Sequence, residues 1–275
     1  MALAVFVAVT SLIADPPPAS AAEQHPVLRL GATTTVENSG LLGHLLPRFT
    51  ADTGIRVHAI IRGTGEVLRV ARTGDVDVFI AHDPAGERAF LKAGHAIARR
   101  DIMHNHFIIV GPKSDPAGVA GMSSAASAFG KIAKAKARFI SRGDDSGTHR
   151  AERRTWRAAG LDPSKPPQRW YMESGAGMGA TLNVAAGRGG YTLTDQGTWL
   201  AFRNKSALAP LVMTDKSLIN RYGVNLVAPA RLGPKRARAA RIFFDWISGT
   251  AGQRAIGTYK IGPYMPFMPA MPPKS

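Results

Sequence analysis

A chain of 275 residues, 45% of them hydrophobic, is long enough for one large domain or two modest ones and buries a core without covalent staples. It has no cysteine, which excludes disulfides, thiolate metal sites, cysteine nucleophiles and a lipidated N-terminal cysteine. The formal net charge of +16 attracts anions. Yet Lys and Arg are scattered, as in "KIAKAKAR" and "PKRARAAR", aromatic residues are only 7%, and no nucleic-acid-binding motif occurs. Solvated basic helix faces are expected, not a nucleic-acid partner.

The chain opens on "LAVFVAVTSLIA", an apolar run too short to span a bilayer, followed by "PPPASAA", where Ala19 and Ala21 form an A-x-A cleavage pattern. Residues 1–21 are therefore expected to be a secretory signal peptide. No basic residue precedes Arg29, so the basic start of such a signal is missing.

Strand-like and helix-like segments then alternate. "VLRLGA" (27–32) reads as a strand, "TTTVEN" as a polar loop, and Ser39 to about Thr53 as a helix with Leu41, Leu42, Leu45, Leu46 and Phe49 at helical spacing and Gly54 as its stop. Pro47 inside it is a blemish. "IRVHAII" (55–61) is a strand, "RGTG" turns into the helix "EVLRVART", and "DVDVFIA" (75–81) is the next strand. This β-loop-α grammar predicts a parallel sheet. It recurs in "HFIIVGP" (106–112), "ARFIS" (137–141), "RWYMES" (169–174), "GYTLTD" (190–195) and "GVNLVAP" (223–229). Asp195 is placed to N-cap "QGTWLAF", and "RARAARIFFDWISG" carries an apolar Ile242/Phe243/Trp246/Ile247 face. The Pro- and Met-rich tail is expected to be irregular.

Four strand-to-helix loops share a chemistry: "TTTVENSG", "RGTG", "SRGDDSGT" and "SGAGMGAT". In an open α/β sheet such loops cluster at the carboxyl ends of strands, where ligands sit. Helix N-termini there offer backbone N–H groups and partial positive charge, glycines admit close approach, and hydroxyls add neutral donors. "SRGDDSGTH" adds Arg142, whose guanidinium can grip two oxygens of an oxyanion. Asp144 and Asp145 can cap the following helix, tether Arg142 or accept a proton from a protonated ligand. A serine hydrolase using Ser146 and His149 is a poor fit: there is no G-x-S-x-G, the spacing need not aim one at the other, and no third group is implied. No P-loop string occurs. His104 and His106 share a face if extended, but two nitrogens alone do not make a metal site.

From about Leu28 to Tyr259 the chain resembles the tungstate-binding periplasmic proteins of ABC uptake systems. The matching strings include "TTTVENSGLL", "GTGEVL", "GDVDVFIAHDP", "SRGDDSGTH", "WYMESGAGMGATLNVA", "YTLTDQGTWLA" and "FFDWISGTAGQ". The resemblance implies an α/β, two-lobed type II periplasmic-binding-protein fold with a ligand cleft between lobes, here 26–107 plus 222–275 for one lobe and 108–221 for the other. It implies a non-enzymatic solute receptor that captures tungstate, or molybdate, as ligand, with no cofactor. Carried over, the oxyanion site is Thr33, Thr34, Thr64 and Arg142, with Ser146, Gly147, Thr148, Gly177, Met178 and Gly179 as hydroxyl or backbone donors. The partners implied are an ABC permease and its ATPase. The protein is expected to be a periplasmic monomer without a lipid anchor. One departure stands out: the family's first motif usually reads T-T-T-S, and the fourth residue here is Val36. A phosphate receptor of the same fold is the nearest rival, because its R-x-D-x-S-G-T pattern is matched by Arg142, Asp144, Ser146, Gly147 and Thr148, with Asp144 as proton acceptor.

Overall fold

The computed structural model describes residues 27–205 and 207–271; the expected signal peptide lies outside them. In chain order the elements are β1 (Val27–Thr33), α1 (Thr34–Asn38), α2 (Leu41–Thr53), β2 (Arg56–Arg62), α3 (Thr64–Thr73), β3 (Val78–Ala81), α4 (Pro84–Lys92) and β4 (Ala96–Pro112). Then follow α5 (Ala125–Lys134), β5 (Phe139–Ser141), α6 (Gly147–Ala158), β6 (Tyr171–Glu173), α7 (Met178–Arg188), β7 (Thr192–Asp195), α8 (Gln196–Ala201) and β8 (Leu208–Val212). The chain ends on β9 (Ile219–Val227), α9 (Pro234–Ser248), α10 (Thr250–Thr258) and β10 (Met268–Pro269).

The sheet is mixed rather than parallel. β1 pairs in parallel with β2 and β3, but β9 runs antiparallel between β3 and β4. The reason is the 17-residue β4, of which only the last seven residues read as a strand in the sequence. Its first part, from Ala96 to His106, pairs with β9, and its last part, from Phe107 to Pro112, pairs with β7 and β8. One continuous strand thus serves two packed bodies. Charged Arg99, Arg100 and Asp101 broke its apolar pattern; they sit where β4 covers β9 and make ion pairs, and the Arg100 guanidinium also lies 4.9 Å from the ring centre of buried Phe244.

The buried apolar side chains separate accordingly. One cluster draws on residues 28–103 and 222–267, including Leu30, Phe49, Phe79, Phe243 and Phe267. Two others draw on residues 107–218, one built around Phe129, Phe139 and Trp156 and one around Met178 and Leu182. Trp156 lies 4.2 Å from Phe129 and 5.1 Å from Phe139, ring centre to ring centre. A fully buried side chain of this kind contributes about 2 kcal/mol by area.

Helix ends follow local chemistry. α2 presents Leu41, Leu42, Leu45 and Phe49 to the core and stops at Gly54, which takes the left-handed φ of 72° that favours glycine. Pro47 is accommodated inside it. Asp195 does N-cap α8, accepting from the Thr198 N–H at 2.9 Å. One expectation for these ends fails. "TTVEN" is not loop but the short helix α1, because Ser39 closes the turn back onto the carbonyls of Thr35 and Val36. The described part of the tail is largely irregular, as expected, but it is anchored: Phe267 is buried, and Met268 and Pro269 pair with His104 and Met103 of β4.

Candidate functional site

Five helices each follow a strand, α1 after β1, α3 after β2, α6 after β5, α7 after β6 and α8 after β7, and the contacts among them define one polar hub. The β1–β2 register sets Thr33 opposite Arg62, so the first two loops leave the sheet side by side. α1 also packs on α7 and α8, which brings loops of both packed bodies together. Two hydrogen bonds tie them. Arg142 Nη2 donates to Thr34 Oγ1 at 3.4 Å, and the Gly147 N–H donates to Thr64 Oγ1 at 2.9 Å. Each threonine hydroxyl accepts there and keeps its own proton to donate.

Arg142 is nearly inaccessible, its side chain 1% exposed. Nη2 is ion-paired to Asp144, whose other oxygen accepts the Ser146 N–H at 3.2 Å. Both Asp144 oxygens are therefore engaged in holding the loop and its guanidinium. Gly143 carries a φ of 62° and has the Glu173 side chain where a Cβ would lie, so glycine is required in this turn.

Buried polar atoms normally find partners, and exceptions ask for a reason. Among the described residues ten buried side-chain nitrogens and oxygens have none, and six of those are donors of this hub: Thr33, Thr35, Thr148 and Thr198 Oγ1, and Arg142 Nε and Nη1. An acceptor that receives several donors at once is the chemistry such a set fits. Metal is a poor fit, as the described residues contain no cluster of three or more His, Asp or Glu placed to hold a cation.

His82 forms a floor for the hub. Its ring is stacked on Tyr222 at 5.1 Å and bonds Asn220 Oδ1 at 3.0 Å through Nδ1. Asn220 donates its amide to Asn105 and Tyr222, so its oxygen accepts and His82 Nδ1 carries the proton. Burial lowers the pKa of His82 to about 4, which keeps it neutral near pH 7. Gly147 rests against this ring, since an added Cβ would lie 2.8 Å from His82 Cε1. Asp195, also buried, has one oxygen on Thr198 N and Asn105 and the other without a partner; burial pushes its carboxyl up.

The residues expected from sequence distribute unevenly. Thr33, Thr34, Thr64, Arg142 and Thr148 lie in the hub with buried or bonded side chains. Ser146 is the N-cap of α6 and accepts the His149 N–H at 3.2 Å. The His149 ring turns away and accepts the Asp145 N–H at 3.0 Å, so Ser146 and His149 do not form a nucleophile–base pair. The Gly147 N–H is already bonded to Thr64. Gly177 caps α7, the Met178 side chain is buried in its local core, and Gly179 has open space around its Cα. Val36 is fully buried in the first core and presents no donor. Thr35, Thr198, Asp195 and His82 were missed. "TDQGT" carried the signal for Thr198 and Asp195, a capping Asp three residues before a threonine, whereas His82 acts through residues distant in sequence.

The PBP superfamily domain matches residues 19–250. The chain belongs to this superfamily. It is 39% identical over 232 residues to the tungstate-binding protein TupA of Peptoclostridium acidaminophilum, a match covering 84% of this chain and 80% of that one. The solved structure of the tungstate-binding protein TupA from Desulfovibrio alaskensis G20 superimposes with a TM-score of 0.75 at 42% identity, covering 89% of this chain and 98% of that one. That of the tungstate ABC transporter from Geobacter sulfurreducens gives 0.76 at 40% identity, covering 85% and 98%. At these identities the α/β architecture with its mixed, curled sheet is the type II periplasmic-binding-protein fold.

Proposed function

We propose that the chain is the solute receptor of an ABC uptake system and that its ligand is tungstate, bound at the hub by Thr33, Thr34, Thr64, Arg142, Ser146, Thr148 and the N-terminus of α7, with Thr35 and Thr198 added. The observation that carries this reading is the convergence of a buried guanidinium and four partnerless threonine hydroxyls. Tungstate at neutral pH is a dianion whose oxygens only accept, so a water-poor site of donors favours it over a ligand bearing a hydroxyl. Relatives named for tungstate binding support the same ligand. With a ligand of this kind the role is capture and delivery, not catalysis.

The two sets of buried cores support the division into two lobes expected at 26–107 plus 222–275 and 108–221, with Phe107 itself packed in the second, and the lobes close on the ligand by a hinge. On this reading the partners are a membrane permease and its ATPase. The receptor is a monomer in the periplasm, released by cleavage near Ala21; N-terminal sequencing of the secreted protein tests the cleavage. No helix of the described residues is long and apolar enough to cross a membrane.

A phosphate receptor is the second reading, favoured by the partnerless Asp195 oxygen, which could accept a ligand proton. Against it, Asp144 is engaged on both oxygens. Calorimetric titration of the mature protein with tungstate, molybdate, phosphate and sulfate decides. Tungstate is expected to bind tightly and phosphate not; the reverse overturns the assignment.

A further inference from the structure

Asp83 occupies the N-cap position of α4, yet its carboxylate makes no hydrogen bond to that helix. It is ion-paired instead with Arg150 Nη1 of α6, a residue 67 positions away on the other packed body. The Asp83 side chain is 4% exposed, so the pair is shielded from water on its acidic side. Arg150 is held from behind: Nε and Nη2 donate to the two oxygens of Asp145 at 3.0 and 2.6 Å. Asp145 is itself a non-glycine residue at a φ of 54°, a conformation kept only where the surroundings fix it.

Asp83 is held with equal care. Its N–H donates to Glu87 Oε1 at 2.9 Å, and Glu87 Oε2 accepts from Arg99 at 2.8 Å and from Asn225 at 3.1 Å. The ground around the pair is cleared by two glycines of the first body. A Cβ at Gly86 would lie 2.4 Å from Asp83 Oδ2 and 3.1 Å from Arg150 Nη1, and one at Gly65 would lie 3.3 Å from Asp145 Oδ2. A run of charge, Arg99–Glu87–Asp83–Arg150–Asp145, therefore crosses the junction beside the hub without supplying any of its partnerless donors.

We propose that the Asp83–Arg150 pair is a latch between the lobes that sets how long the ligand stays, without touching it. When the lobes part, both groups return to water and the pair's contribution is lost; when they meet on a ligand, the pair forms again. Such a pair acts on release more than on capture. It would let receptors with the same oxyanion cradle differ in residence time.

The latch rests on the oxyanion-receptor reading, and stopped-flow kinetics with tungstate and molybdate separate the two. Asp83→Asn and Arg150→Met are each expected to speed release of both anions about tenfold, with association changed less than twofold. The double variant should be no faster than the faster single one, because both remove one interaction. Arg150→Lys, which keeps the charge and loses the fork, should fall between wild type and Arg150→Met. Melting of the ligand-free variants should match wild type within a few degrees, since the pair does not cap α4. Unchanged release rates in protein that binds tungstate, or additive effects in the double variant, overturn the latch. Wild-type protein that binds neither anion overturns the receptor reading instead. Should Arg150→Met fail to fold, Asp83→Asn alone still decides: release of tungstate at the wild-type rate by that variant overturns the latch.

Discussion

Replacing Arg142 tests the site at its most informative atom pair. The side chain is almost fully buried, Nη2 is committed to Asp144 and Thr34, and Nε and Nη1 are left to meet a ligand. Two charge-assisted bonds to an oxyanion are each worth roughly 1.5–3 kcal/mol. Water entering the space left by Arg142→Ala recovers part of that, so a net loss of about 3 kcal/mol is expected, or roughly two orders of magnitude in Kd. Arg142→Lys separates charge from shape. It keeps the positive charge, but one ammonium cannot present two parallel N–H groups while also holding Asp144. Its Kd should rise about tenfold, near 1.4 kcal/mol. Titration calorimetry with tungstate at two salt concentrations reads both variants. A Kd within twofold of wild type for Arg142→Ala refutes the clamp; wild-type affinity for Arg142→Lys refutes the fork and leaves only the charge.

Thr33→Val, Thr35→Val and Thr198→Val each remove a buried hydroxyl that has no protein partner. Ligand-free melting should therefore hold or rise slightly, while tungstate affinity falls by about 1 kcal/mol per site; a variant that loses stability but not affinity contradicts its place in the site. Gly147→Ala pushes a methyl into the His82 ring, so calorimetry should show weakened binding by a protein whose ligand-free circular dichroism is normal. Glu152 is fully buried, and burial raises its pKa to about 7 despite donors from Ser141, Trp156 and Tyr171. Because the folded-state pKa lies above that of an exposed carboxyl, folding favours its protonated form, and stability contributed below the ordinary range is lost as pH rises through about 7. Wild-type melting temperature should thus fall between pH 5 and pH 8 more than that of Glu152→Gln; parallel curves would count against a buried carboxyl titrating there.

Much of the fold was legible because its signals are local. Glycine stops at Gly54 and Gly74, the capping Asp195 and the leucine face of α2 all act within one or two turns. The donor-bearing loops were legible for the same reason: a hydroxyl- and glycine-rich turn between strand and helix is a local statement. What the sequence could not show depends on partners far away. The Arg99–Arg100–Asp101 stretch is strand because Glu87 and Asp245 receive its charges. β10 is strand because β4 offers it an edge. His82 matters through Asn220, Tyr222 and Gly147, none of them near it in sequence. The site's charge count was visible, whereas which donors are already bonded depends on distant partners, as the Gly147 N–H depends on Thr64.

The two-body use of β4 also orders events in time. The cores drawn from residues 107–218 contain every residue they need once Leu218 has emerged from the ribosome. The core drawn from residues 28–103 must wait for β9, α9 and Phe267 at the far end of the chain. During synthesis the second body can therefore close while the first, although made earlier, still exposes the apolar faces of β1 and α2. The N-terminal third spends the longest time as an unfinished, sticky segment. A chaperone that must recognise this protein before it folds would find its longest-lived target there.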